Sequence, residues 1–316
     1  MEPSTRQRLV TLGKGLATVV VLGLVLRKVP LRDLAARMRA LSLADLLALL
    51  ALTTAQVTVG VFRWQRLLKR LGERVAFLPL YGDVLVGLMY NMFLPTTVGG
   101  DVVRALRCRA RVQQGHAAWS SSLFERIAGL LAMAASGAIA AGVGLGSDAR
   151  IPSSIRLLAG GLALGLLIAF FFAAAPFRIL VTRLERSLPS VADDVRGIAA
   201  DLSGPLATRG ARFEALFWSL LYQALGIAFV IVGARALGAP GHALAIVVGV
   251  PIVHVLSMVP ITIGGLGLRE GLFVAILGPL GVAPAVALGL AAQWLASSVG
   301  FAIVGAGVAL TDGKRG

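Results

Sequence analysis

The sequence predicts an all-α, polytopic membrane protein with two broken, re-entrant helical segments arranged as an inverted repeat. Three observations carry this. Of 316 residues, 57% are hydrophobic and 14% charged, with a mean hydropathy of +0.86, whereas an average soluble domain is about 25% charged. The apolar residues gather into runs near the ~20 residues that span hydrocarbon. Finally, Pro95-Thr96-Thr97-Val98-Gly99-Gly100-Asp101-Val102-Val103-Arg104 returns as Pro260-Ile261-Thr262-Ile263-Gly264-Gly265-Leu266-Gly267-Leu268-Arg269. Pro, the second Thr, both Gly and the Arg recur, each displaced by 165 residues (260 − 95 = 165).

The elements follow in order. Leu9 to Leu26 is a first span, and Leu31, Leu34, Ala35, Met38 and Leu41 then share one face of an interfacial helix whose arginines lie off it. Span two runs from Leu43 to Phe62, and Arg63-Trp64 reads as its head-group anchor. Val84 to Gly100 is only seventeen residues long and has arginine-rich flanks on both sides. A full crossing would leave a dense positive cluster outside, so this segment dips in and returns. Its non-helical tip must then be buried in protein or line a wet cavity.

Ala117 to Leu145 crosses, and Leu157 to Ala175 crosses back. Arg178 to Arg212 carries leucines and valines at spacings of three and four, an amphipathic cytoplasmic segment. Phe213 to Ala234 crosses out. Ala243 to Gly265, with Pro251 inside and Pro260 near its tip, is the second broken segment. After the short stretch Leu272 to Leu280, Pro284 to Leu310 crosses in. Three crossings separate the broken segments, so the halves 1–146 and 155–316 are inverted within a single membrane domain. Both termini are cytoplasmic, in an inner membrane of bacterial type.

The formal charge is +15, yet its arginines and lysines are spread over short loops without aromatic interleaving, which argues against nucleic acid as a partner. Loop positives set orientation and attract anionic lipid. A single cysteine, Cys108, rules out an internal disulfide, and His116, His242 and His254 lack zinc spacing. No cofactor, metal or catalytic motif is expected. The N-terminal apolar run has no small-residue cleavage site and reads as a retained span.

Candidate binding residues cluster on the repeats. Two broken segments in corresponding halves point to a transporter's substrate site. Gly99-Gly100 and Gly264-Gly265 permit positive φ and close backbone approach, and freed helix-start N–H groups form an anion site. Arg104 and Arg269 add guanidinium forks suited to phosphate. Asp101, one helical turn before Arg104, and Glu270 balance those charges, with Glu270 pointing toward the other half. Glu125 and Arg126 lie ~15 Å into their span, near mid-bilayer, where an isolated charge costs roughly 2.5–3.5 kcal/mol. They must face the interior, Glu125 meeting an Arg of a broken segment and Arg126 an acid or a lipid phosphate. Asn91, four residues before Pro95, lines the same cleft. Gln56, Tyr90, Tyr222, Gln223, His254, Gln293 and Ser297 are polar within spans and more often bond neighbouring helices. Ser120 to Ser122 lacks a base in triad context.

These pieces together resemble the flippase-like membrane domain of lysyl-phosphatidylglycerol synthases and their stand-alone relatives. The matching residues are Arg63-Trp64 with Leu67-Leu68, Asn91-x-x-Leu94-Pro95 with Gly99-Gly100-Asp101 and Arg104, Glu125-Arg126, and Pro260-x-Thr262-x-Gly264-Gly265-Leu266-Gly267-x-Arg269-Glu270-Gly271. The resemblance spans about Leu9 to Leu310. It implies re-entrant helices, translocation of a charged or glycosylated lipid between leaflets, often a homodimer, and a separate lipid-modifying enzyme as partner. Some relatives carry a soluble aminoacyl-transferase domain after the membrane part; this sequence reaches Gly316 without one, so lipid aminoacylation is not expected of it. The expectation is therefore a non-enzymatic transporter of an anionic or charged-head-group lipid, aminoacyl-phospholipid or polyprenyl-linked. Alternatives from other classes are an intramembrane transferase with Glu125 or Asp101 as base, and an accessory scaffold in envelope synthesis.

Overall fold

The computed structural model describes residues 29–94, 99–143, 192–259 and 261–312, with scattered positions between 19 and 27 and between 154 and 165. Most of each expected crossing, Leu9–Leu26 and Leu157–Ala175, lies outside the described residues, as do 178–191 of the amphipathic segment. The described elements are all helical. They are α1 (Leu31–Arg39), α2 (Leu43–Arg70), α3 (Phe77–Phe93), α4 (Gly99–Arg109), α5 (Gly115–Val143), α6 (Ala192–Ser203), α7 (Arg209–Ala236), α8 (Ala243–Leu256), α9 (Leu268–Leu277) and α10 (Pro284–Asp312).

Local chemistry sets the boundaries. Ser42 Oγ accepts the Asp45 N–H at 3.1 Å while the Asp45 carboxylate accepts the Ser42 N–H at 3.0 Å, a capping box that starts α2. Thr208 Oγ1 accepts the Ala211 N–H and starts α7. Both helices stop at a glycine in the left-handed region, Gly72 (φ 85°) and Gly238 (φ 76°). α2, α7 and α10 are long and apolar enough to cross a bilayer. The 29 residues of α5 extend about 43 Å. Together these make an integral membrane protein.

α2 does not end at Phe62. It continues to Arg70, so Arg63-Trp64 is no head-group anchor: Arg63 is buried and Trp64 fully so. Leu67 and Leu68 keep the apolar period going and are buried as well. The first broken segment likewise begins earlier than Val84, at Phe77, because Asp83 inside it is neutralised. Arg107 Nε lies 2.8 Å and Arg111 Nε 3.1 Å from its carboxylate, which is wholly buried. Asp83→Asn is expected to cost roughly 1–3 kcal/mol, read as earlier thermal unfolding of the detergent-solubilised chain.

The two halves match helix by helix. α2 and α7 both have 28 residues and begin 166 apart (209 − 43 = 166); α5 and α10 both have 29 and begin 169 apart (284 − 115 = 169). Packing follows the same correspondence. α2 lies on α7; α3 packs on α10 as α8 packs on α5; α3 pairs with α4 as α8 pairs with α9; α4 meets α5 as α9 meets α10. At the α2–α7 crossing, a Cβ on Gly60 would sit 3.3 Å from the Tyr222 ring, and one on Gly226 2.5 Å from Gln56 Nε2. Gln56/Tyr222 and Gly60/Gly226 are each 166 apart (222 − 56 = 166; 226 − 60 = 166), so a two-fold relation runs through this contact. Small residues there let the backbones approach.

Each broken segment is a pair of packed helices: α3, ending at Phe93, with α4, starting at Gly99; and α8, ending at Leu256, with α9, starting at Leu268. The pairs open at opposite ends of α10. Arg107, near the end of α4, bonds Asp312 at the C-terminus of α10 as well as Asp83 of α3. His242, just before α8, bonds the Gly281 carbonyl at 3.0 Å, three residues before α10 begins. The breaks meet between these ends: Gly264 (φ 59°) lies against the Met92 and Asn91 carbonyls, where a Cβ would come within 3.1 Å of Met92 O.

Candidate functional site

Asn91, in the last turn of α3, is the point where both breaks converge. Its Oδ1 accepts the Gly100 N–H at 2.7 Å, and its backbone carbonyl faces Gly264. Gly100 must be glycine because a Cβ would strike the Gly87 carbonyl and the Asn91 amide; Gly99 is pressed against the Leu94 side chain. The second pair differs in cause. Gly264 and Gly265 hold φ of 59° and 74°, a backbone that L side chains adopt at a cost. So the first Gly pair serves close approach and the second serves conformation.

Two cavities of about 250 Å³ each flank this hub. They share a wall of Val57, Leu88, Asn91 and Tyr222. The first contains Gly100, Asp101, Arg104, Glu125 and Arg126 together with Arg63 and Gln223. The second contains Gly264, Arg269, Gln56, Trp294 and Ser297. Gly99 and Gly265, candidates from the sequence, are buried beside the cavities without lining them.

The first cavity holds a five-charge network. Glu125, 3% exposed, accepts Arg63 at 2.5 Å on one oxygen and lies 2.9 Å from Arg104 Nη2 on the other. Asp101 sits 3.1 Å from Arg104 Nε and pairs with Arg126 through its second oxygen. Arg104 and Glu125 meet at ion-pair distance without hydrogen-bond alignment between Nη2 and Oε2, and Arg104 Nε has no hydrogen-bond partner. The guanidiniums are held by more than charge. Arg104 stacks over Trp64 at 4.8 Å and donates to Ser122 Oγ at 3.3 Å. Arg63 lies 5.2 Å from the Tyr222 ring centre and donates to Ser219 Oγ at 2.9 Å. Cations on aromatic faces in a desolvated setting gain ~2 kcal/mol.

Two expectations change here. One amide at each helix start is taken by a side chain: Gly100 N–H by Asn91, and Gly267 N–H by Glu270 at 2.6 Å. Glu270 does not reach the other half; it caps its own helix and lies 3.3 Å from Arg269 Nη2. Arg63, absent from the candidates, supplies the closest contact to Glu125. Ser120 to Ser122 is a packing strip. Ser120 donates to Asp201 of α6 at 2.6 Å, Ser121 accepts from Trp64 Nε1 at 2.9 Å, and Ser122 accepts from Arg104.

A family model described as the lysylphosphatidylglycerol synthase TM region matches residues 10–305, covering both breaks, the five-charge network and the two cavities. The chain belongs to this family. Its members' name ties the fold to membrane lipid, and a lipid-related role in a membrane follows for the family's transmembrane region at that level. No curated protein and no solved structure matches the chain. Among the described residues no group of histidine, cysteine, aspartate and glutamate has metal-binding geometry.

Proposed function

We propose that this member of the lysylphosphatidylglycerol synthase transmembrane family is a flippase, carrying lipids with charged head groups between leaflets. The observation that supports it most is the pair of cavities on either side of Asn91, each supplied with an arginine from a broken segment, Arg104 in one and Arg269 in the other. The helix pairs that bear them open at opposite ends of α10. In a bilayer each would be re-entrant from a different face, the arrangement found in transporters built from inverted repeats. The head group occupies the arginine-lined space while acyl chains stay in hydrocarbon. No nucleotide-binding motif is present in the sequence, so drive comes from a gradient or from consumption of the product. The inner membrane of a bacterial-type cell is the proposed location, with a separate lipid-modifying enzyme or a second copy as partner.

Reconstitution in liposomes with fluorescent lipids tests this. Arg104→Ala with Arg269→Ala is expected to lower leaflet exchange by at least tenfold, since each removes a charge-assisted contact worth roughly 1.5–3 kcal/mol. Unchanged exchange in the double variant ends the proposal. Mass spectrometry of the same lipids is expected to show no chemical change; a new lipid species would make the protein a transferase instead.

A further inference from the structure

The two cavities differ in what they have to spare. Among the described residues, three carboxylates line them or adjoin them: Asp101, Glu125 and Glu270. Each of their six oxygens lies at ion-pair or hydrogen-bond distance from an arginine or an N–H. Asp101 meets Arg104 and Arg126, Glu125 meets Arg63 and Arg104, and Glu270 meets Arg269 and the Gly267 N–H. The second cavity has a donor to spare: Arg269 Nε is buried without a hydrogen-bond partner, whereas Arg104 Nε and Glu125 Oε2, which also lack one, each lie at ion-pair distance from an opposite charge. The ionic count is four arginines (63, 104, 126, 269) against three acids, 4 − 3 = +1.

A buried guanidinium N–H without a partner costs free energy until an acceptor arrives. A cationic head group finds the opposite: among the described residues every carboxylate there already faces an arginine, and the surround is positive, which costs several kcal/mol in like-charge juxtaposition. We infer that the ligand is a lipid bearing a phosphate and no cationic group, with the phosphate held by Arg269. This rests on the reading that lipid head groups enter the two cavities. It separates this chain from a carrier of aminoacylated, cationic lipids. Phosphatidylglycerol and a polyprenyl phosphate share the inferred chemistry.

The test is equilibrium binding to the full chain in detergent mixed micelles, with leaflet exchange measured in parallel. The probes are phosphatidylglycerol, a polyprenyl phosphate, lysyl-phosphatidylglycerol and phosphatidylethanolamine, with the three phospholipids matched in acyl chains. Either or both cation-free phosphate lipids are expected to bind about tenfold or more tightly than the two amine-bearing lipids, and Arg269→Gln is expected to remove most of that preference. Which of the two binds identifies the source. Lysyl-phosphatidylglycerol binding as tightly as the cation-free lipids, or no lipid binding at all, overturns the inference. Selective binding without leaflet exchange would leave this inference standing and retire the flippase. Equal exchange of lysyl-phosphatidylglycerol would do the reverse.

Discussion

Glu125→Ala is expected to be the most destabilising single substitution in the first cavity, at about 3–5 kcal/mol. Its carboxylate is buried between Arg63 and Arg104. Removing it leaves Arg63 with Ser219 and the Tyr222 face, and Arg104 with Asp101, Ser122 and Trp64. Neither remaining set balances a guanidinium taken out of water. Thermal unfolding in detergent measures the loss. Glu125→Gln keeps the volume and an acceptor and is expected to fall between Ala and wild type. Arg63→Met added to Glu125→Gln is expected to recover part of the loss, because an absent charge costs less than an unpaired one; the cycle gives the coupling directly. A Glu125→Ala protein as stable as wild type would mean that the network contributes nothing to holding α2, α4 and α5 together.

The second large effect is expected at Gly100. In Gly100→Ala the new methyl meets the Gly87 carbonyl and the Asn91 amide. One of these is backbone, so relief requires α3 and α4 to separate. Overpacking of this kind costs roughly 1–3 kcal/mol. The functional loss is expected to exceed the stability loss, since Asn91 lines both cavities and its side chain is the group displaced. Gly265→Ala has no steric neighbour but a φ of 74°, and is expected to cost about 1–2 kcal/mol from backbone strain alone. Gly278→Ala is the control. Its φ is −55° and nothing lies within 4 Å, so it is expected to stay within about 0.5 kcal/mol of wild type. Melting temperatures and leaflet exchange of the three variants, measured side by side, check the order.

Much of the fold was legible in the sequence because hydrophobic runs and breakers act locally. The runs near Leu43, Phe213 and Pro284 became α2, α7 and α10, and the Gly-Gly pairs fell at the start of α4 and between α8 and α9. Helix ends that depend on tertiary pairing were not legible. Arg63 read as a boundary because an arginine after a mostly apolar run of twenty residues usually faces water; its partner Glu125 is 62 positions away. The only local hint was the continued period through Trp64, Leu67 and Leu68. Asp83 misled for the same reason, its cations coming from α4 and the turn after it. The Gly pairs were visible as a repeat, but not their different causes, which need a neighbour at Gly100 and a φ at Gly264. The helix-length match of the halves, 28 with 28 and 29 with 29, was hidden because charged residues within α2, α5 and α7 interrupt the apolar runs by which spans are counted.

Four residues line both cavities: Val57, Leu88, Asn91 and Tyr222. All four sit on helices, α2, α3 and α7, so the partition has no loop of its own to unfold. Its two polar members, Asn91 and Tyr222, are half-buried, each with two side-chain torsions. The Asn91 torsions are tied to Gly100 by a hydrogen bond, so the latch and the hinge of this partition are the same amide.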